Sequence, residues 1–311
     1  MISGIINVYK EKGYTSHDVV AKLRGLLRQK KIGHTGTLDP DAEGVLPVCL
    51  GKATRACDML TEKDKEYEAV MLFGKTTDTQ DITGTVMSQQ AVDCSEEEIR
   101  NIIMSFKGSY AQIPPMYSAL KVNGKKLCDL ARAGVTVERS PRTVQIYDIR
   151  ILETALPRVR ISVHCSKGTY IRTLCHDIGE MAGCGGCMET LVRTRVSGFR
   201  LCESHRISEI EEQICALRQQ QPGRELTKSD LKNLIIDTDS VFLEYPYVCV
   251  REEFSKLLYN GNPLSREWIK NWDNSYKTQT LRVYDSRQTF VGMYQWKESS
   301  RDIRPLKIFM E

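Results

Sequence analysis

Between Gly33 and Gly51 the chain places glycines at 33, 36, 44 and 51 and prolines at 40 and 47. So many breakers predict no regular element across the stretch. Long irregular segments inside compact domains are more often functional than idle, and this one holds His34, Asp39 and Asp41 within a few residues. Pro40 biases Asp39 towards an extended backbone, and the glycines allow close approach to a ligand. A carboxylate on such a rigid loop can act as nucleophile, acid or base. An Asp-Pro turn with a surface histidine is the plainer alternative.

The flanking sequence is that of an ordinary globular chain. At 311 residues, 41% hydrophobic and 27% charged, it has material for one large domain plus a smaller one, without disulfide staples. No apolar run approaches the ~20 residues of a membrane span. The start, interrupted by Ser3, Gly4 and Asn7, lacks the pattern of a signal peptide. Eleven scattered cysteines suit structural thiols in a reducing compartment, so a cytoplasmic, membrane-free protein is expected. Cys175-His176 with Cys184 and Cys187 provides one short-spaced cluster where a structural zinc site uses two, and no metal is expected. Asp78 fails as the start of a calcium loop because Gln89 stands where a glutamate is required. Neither a P-loop nor a dinucleotide fingerprint occurs.

Local patterning predicts a strand over Ile5–Tyr9, then a helix capped by Ser16 with Val19, Val20, Leu23, Leu26 and Leu27 on its buried face. Further strands are expected at Tyr67–Phe73 and Val159–Cys165. A capping box at Ser95 and Glu98 opens a second helix, and short helices are expected near Leu127–Ala133 and Ser208–Gln219. Beyond about Val241 short strands take over, at Val248–Val250, Leu281–Tyr284, Phe290–Trp296 and Leu306–Met310. Net charge is only +4, yet from Met1 to Gly36 there are seven Lys/Arg against two Asp/Glu, and from Ala119 to Arg172 eleven against four. Segregated positive charge points to a polyanion, most commonly nucleic acid.

The string from Gly33 to Pro47 resembles the active-site motif of the TruB family of tRNA pseudouridine synthases. Five further groups of strings follow family order: Asn7–Ser16, Lys65–Tyr67 with Thr77–Gly84, Pro114–Lys121, Ser166–Leu174 and Leu191–Gly198. The resemblance implies an α+β pseudouridine synthase fold, with a mixed, mainly antiparallel sheet flanked by helices and loops. It implies a catalytic domain over 1–240, with an RNA-clamping insertion at about 107–143, and a small β-rich PUA-like domain over 241–311. The implied reaction converts uridine 55 in the T loop of tRNA to pseudouridine after base flipping, with no metal or organic cofactor. The partner is tRNA through its T arm and possibly its acceptor stem, with no protein partner, and a monomer is expected.

Position by position, Asp39 matches the catalytic aspartate, bonding to the sugar carbon or taking part in a glycal route. Tyr67 matches the tyrosine that stacks on the target base, Arg172 the arginine paired with the aspartate, and Tyr170 and Leu191 pocket residues. His34 matches the histidine beside the flipped nucleotides. Lys121, Lys125, Lys126, Arg139 and Arg142 fall in the insertion, where their charge suits phosphate contacts. Arg251, Lys256, Arg266 and Lys270 would do the same on the smaller domain. Glu43 and Cys187 depart from the family pattern. Two other readings remain open here: a non-catalytic RNA-binding or tRNA-folding factor, and a glycosidase-like enzyme pairing Asp39 with a second carboxylate.

Overall fold

Alternating apolar residues build a ten-stranded sheet that runs through the larger part of the molecule; the computed structural model describes residues 1–310. In chain order the elements begin with β1 (Gly4–Lys10), α1 (Ser16–Leu27), β2 (Ile32–His34), β3 (Glu43–Leu50), α2 (Cys57–Thr61), β4 (Lys65–Phe73), β5 (Lys75–Thr77), β6 (Val86–Gln89) and α3 (Glu96–Ser105). Then come β7 (Gly108–Gln112), β8 (Lys121–Val122), β9 (Lys125–Lys126), α4 (Leu127–Arg132), β10 (Arg142–Ala155), β11 (Arg158–Cys165), α5 (Ile171–Met181) and β12 (Gly186–Val196). The remainder comprises β13 (Phe199–Arg200), β14 (His205–Arg206), α6 (Ile207–Gln220), β15 (Tyr247–Cys249), α7 (Ser255–Tyr259), β16 (Thr280–Tyr284), β17 (Phe290–Lys297) and β18 (Asp302–Ile308).

The large sheet runs β14-β1-β3-β12-β4-β11-β10-β7, with β2 beside β3 and β13 beside β12. Its pairs are antiparallel except β1 with β14 and β3 with β12. The fold is therefore mixed α and β on a mixed, mainly antiparallel sheet, with a second sheet, β15-β16-β17-β18, near the C-terminus. One face carries the apolar cluster of Tyr67, Ala69, Met71 and Phe73 from β4, packed with α3 and α5. Cross-strand ion pairs such as Arg160–Glu68 (2.5 Å) and Arg158–Glu189 (2.8 Å) project on the other side, as suits a wetted sheet face. Among the described residues no helix is long and apolar enough to cross a membrane.

Three local expectations need correction. The stretch Gly33–Gly51 is mostly strand, with only residues 35–42 forming a loop. Seven residues of β3 pair with β1 from Gly4↔Leu50 to Lys10↔Gly44, and this tertiary pairing overrides the local breakers. The first helix is capped by Thr15 in a capping box with Asp18, not by Ser16. Ser16 instead turns its buried hydroxyl to the loop, accepting from the Leu38 amide at 2.9 Å. The last strand begins at Asp302 rather than Leu306.

The smaller β unit has a core of its own, built from Val248, Leu258, Leu281, Val291 and Ile303 among others, and a second cluster joins it to the large sheet. Phe242, Met293 and Phe309 belong to one apolar cluster with Val45 and Cys49 of β3 and with Ala53, Ala56 and Leu60. Arg55 donates to the Ile308 carbonyl and Lys63 pairs with Glu244 across the same seam.

Candidate active site

The loop between β2 and β3 presents Asp39 from the edge of the apolar cluster, and three buried side chains hold that loop by its backbone. Lys10, fully buried at the end of β1, donates its ammonium to the carbonyls of Ala42 (2.6 Å), Pro40 (3.0 Å) and Glu11 (3.2 Å). Burial pushes its pKa down to about 8, against the pull of Asp39 and Glu43. Arg193 of β12 is 1% exposed; it bonds the carbonyls of Val45 at 2.8 Å and of Gly36 and Thr37 at 3.3 Å. Ser16 fastens Leu38, and the Ala42 amide closes a turn onto the Asp39 carbonyl at 3.1 Å. Gly44, at φ +107, lets β3 cross so close to β12 that an added Cβ would lie 2.3 Å from the Arg193 carbonyl oxygen.

Arg172, on the first turn of α5 with its side chain 6% exposed, meets Asp39 side-on: Nε to Oδ2 at 2.9 Å and Nη2 to Oδ1 at 3.4 Å. This two-point contact uses the planar fork of the guanidinium. The same group bonds the carbonyls of Tyr117 (2.7 Å) and Thr79 (3.0 Å) and faces Asp81 at 3.5 Å. Asp81 is itself held by the hydroxyls of Thr83 (2.6 Å) and Thr79 (2.8 Å). The Asp39 side chain stays 42% exposed on its open side, while protein crowding elsewhere raises its pKa; Arg172 opposes that rise and Asp81 adds to it. The site thus joins an accessible carboxylate to a buried cation.

Tyr67 of β4 and Leu191 of β12, each 8% exposed, belong with Leu38 to the apolar cluster beside this pair. Burial raises the pKa of the Tyr67 phenol, and the neighbouring Arg193 charge pulls against that rise. Tyr170 occupies the N-cap of α5, two residues before Arg172. Its backbone is clasped by the buried Gln112, whose amide accepts from the Tyr170 N–H at 2.8 Å and donates to its carbonyl at 3.0 Å. His34 closes β2 at the other end of the loop. Its Nδ1 accepts from the Gly36 amide at 3.3 Å, which leaves Nε2 as the donor in the neutral ring, and burial lowers its pKa.

The insertion gathers Lys121, Lys125 and Lys126 on the β8–β9 hairpin, where Lys121 sits opposite Lys126. All three line a cleft of about 500 Å³ with Leu130 and Ala133. Arg142 is exposed at the start of β10, opposite Gln112. Arg139 points inwards and donates to the Pro114 carbonyl at 2.9 Å, which ties the insertion to itself. Arg251, Lys256, Arg266 and Lys270 are exposed on the smaller unit. Glu43 accepts from the Tyr9 hydroxyl at 3.3 Å, and Cys187 is buried in β12. Among the described residues no cluster of three His, Cys, Asp or Glu is arranged to hold a metal ion.

Lys10, Asp81, Gln112 and Arg193 received no role from the sequence, and Ser16 only that of a helix cap. All but Gln112 lie inside the matching strings, but only the fold shows what they hold.

Comparison with known proteins identifies the family. Residues 24–171 match the model of the TruB family pseudouridylate synthase N-terminal domain, and residues 172–242 that of the tRNA pseudouridylate synthase B C-terminal domain. The tRNA pseudouridine synthase B of Lachnoclostridium phytofermentans is 50% identical, covering 99% of this chain and 100% of its own. That of Alkaliphilus oremlandii is 41% identical, covering 99% and 97%. Among solved structures, a chain of a Cbf5-Nop10-Gar1 complex superposes with a TM-score of 0.75 at 27% identity, over 99% of this chain and 85% of that one. The chain belongs to the TruB family of pseudouridylate synthases.

Proposed function

We propose that this protein isomerises uridine 55 in the T loop of tRNA to pseudouridine, with Asp39 as the catalytic carboxylate, acting as a cytoplasmic monomer that needs no cofactor. The observation that carries the reading is the Asp39–Arg172 pair, open on one side, with the Tyr67 phenol near enough to feel the Asp39 charge. Naming of the relatives as tRNA pseudouridine synthases supports the substrate class.

The target lies within a folded RNA arm, so the uridine must leave its stack before Asp39 can reach the sugar. Stacking on the Tyr67 ring is worth roughly 1–3 kcal/mol against that cost. The C1′–N1 bond then breaks, the base turns, and C5 bonds to C1′; the proton on C5 is lost and N1 takes one up, so the formula is unchanged. Asp39 faces the electron-poor C1′, where it bonds to the carbon or assists a glycal route. The reaction needs Asp39 ionised, and Arg172 favours that form against the crowding that opposes it. The basic β8–β9 hairpin would grip the backbone of the arm through its phosphates.

The test uses the full-length protein with a T-arm stem-loop RNA. Asp39→Asn is expected to abolish pseudouridine formation while RNA binding stays within a few-fold of wild type. Continued modification by that variant would remove Asp39 from the chemistry. Wild type that binds the RNA and never modifies it would establish a folding factor instead.

A further inference from the structure

Two arginines are buried at the catalytic site, and their surroundings differ. Arg172 meets the carboxylates of Asp39 and Asp81. Arg193, buried more deeply still, has no carboxylate partner among the described residues. A guanidinium brings five N–H donors and no acceptor, and the carbonyls of Val45, Thr37 and Gly36 each take one of them. A buried cation left with no further partner would be costly. The strand ladder supplies the missing neighbour. Arg193 of β12 stands directly opposite Tyr67 of β4. Opposed residues of an antiparallel pair put their side chains on one face, with Cβ atoms about 5 Å apart. On its other side Arg193 is paired with Gly44 of β3, which has no side chain to compete for that space. The Tyr67 phenol is accordingly the side chain whose hydrogen bond and charge offset the burial of Arg193, and it also feels the charge of Asp39.

We infer that Arg193 is a positioning residue for the reaction, which grips the Tyr67 hydroxyl by its oxygen and so aims the hydroxyl proton at the ribose beside Asp39. The inference rests on the proposed isomerisation and adds a task for the phenol beyond the stacking of its ring. The direction follows from the donors available. A guanidinium can only donate, so towards Arg193 the phenol oxygen can only accept. Its single proton must then point away from the cation. Val163 of β11 flanks Tyr67 on the other strand, and its side chain offers the hydroxyl nothing to bond. The open side of the Asp39–Arg172 pair is where an acceptor, the sugar of the flipped nucleotide, arrives. A phenylalanine at this position would stack on the base equally well but would give Arg193 nothing to hold. The other task of Arg193, fastening the catalytic loop, needs the carbonyl bonds alone.

The experiment measures single-turnover pseudouridine formation on a T-arm stem-loop RNA at saturating enzyme. Full-length wild type, Arg193→Lys, Tyr67→Phe and the double variant are compared. Lysine keeps the buried charge but loses the planar fork that reaches the phenol and the carbonyls at once. With Tyr67 present, Arg193→Lys should slow the step roughly 10- to 100-fold, the range for losing a hydrogen bond from a charged donor, while RNA affinity stays within a few-fold. With phenylalanine at position 67, the same substitution should leave the rate nearly unchanged. Equal losses in both backgrounds would overturn the inference, because displacement of the loop acts whether or not the hydroxyl is there. A second measurement leaves Arg193 intact and holds even where Arg193→Lys does not fold. In protein carrying nitrogen-15-labelled arginine, Tyr67→Phe should shift the Arg193 guanidinium resonances and speed the exchange of their protons with water. Unmoved resonances would overturn the contact. Wild type that binds the RNA without modifying it would sink the proposed activity, whereas an active wild type with equal losses in the two backgrounds would sink the positioning role alone.

Discussion

Asp39 shows how much of this site's chemistry depends on neighbours rather than on residue type. Crowding raises its pKa and Arg172 opposes that rise, so the carboxylate is reachable and the charge that the reaction needs is favoured by its buried cation. Lys10 does the complementary work on the backbone, with three carbonyls around a buried ammonium. Its pKa near 8, against 10.5 for a free lysine, has a signed consequence. Between those values the folded protein has released a proton that the unfolded chain still holds, so this group makes stability rise with pH. Wild type should therefore gain on Lys10→Met by up to about 3 kcal/mol as pH goes from 8 to 10.5. Urea unfolding of both proteins at four pH values measures the difference, and it cancels the similarly depressed Lys65. A difference independent of pH would mean that Lys10 titrates normally.

At the scale of elements, the decisive feature is the close crossing of β3 and β12. Gly44 has a left-handed φ and no room for a methyl group, whereas Gly25, within α1, has nothing within 4 Å of an added Cβ. The same substitution should thus act with opposite sign at the two positions. Gly44→Ala is expected to destabilise by about 2–4 kcal/mol through strain and displacement of Arg193, and Gly25→Ala to stabilise by up to about 1 kcal/mol. Thermal melts of the two variants decide it, and a Gly44→Ala protein as stable as wild type would refute the close-packing argument. Elements were legible where their signals were local. The Ser95–Glu98 capping box, the alternation of β11 and the apolar face of α1 all stand in the sequence. β3 was not, because Gly44 and Pro47 argue against a strand until β1 and β12 flank it.

Across the whole molecule, the two sheets share an apolar seam. Phe242 packs 5.9 Å from Phe309, ring to ring, within the cluster that includes β3 itself. The smaller unit therefore supports the strand that follows the catalytic loop, and the two should unfold together. All three tryptophans, at 268, 272 and 296, lie in the smaller unit, so their fluorescence reports on it alone while far-ultraviolet circular dichroism reports on the whole. The two signals should give one transition in wild type. Phe242→Ala should shift both together, with a loss of about 3–5 kcal/mol. Separate transitions in wild type would show that the seam contributes little.

The amino-acid order alone determined the family, the candidate carboxylate and its partners Tyr67 and Arg172, because those residues recur in strings whose spacing can be read without a fold. It also determined the apolar faces of α1 and α3 and seven of the eighteen strands, but not β10, β12 or the helix α5. Only the tertiary structure decided what holds Asp39 in place. Lys10, Ser16 and Arg193 act on backbone carbonyls and amides far along the chain, and a backbone group carries no residue-specific signature for sequence to display. Nor could the order of residues reveal that an apolar seam joins the two sheets, since apolar residues announce that they are buried but not against what.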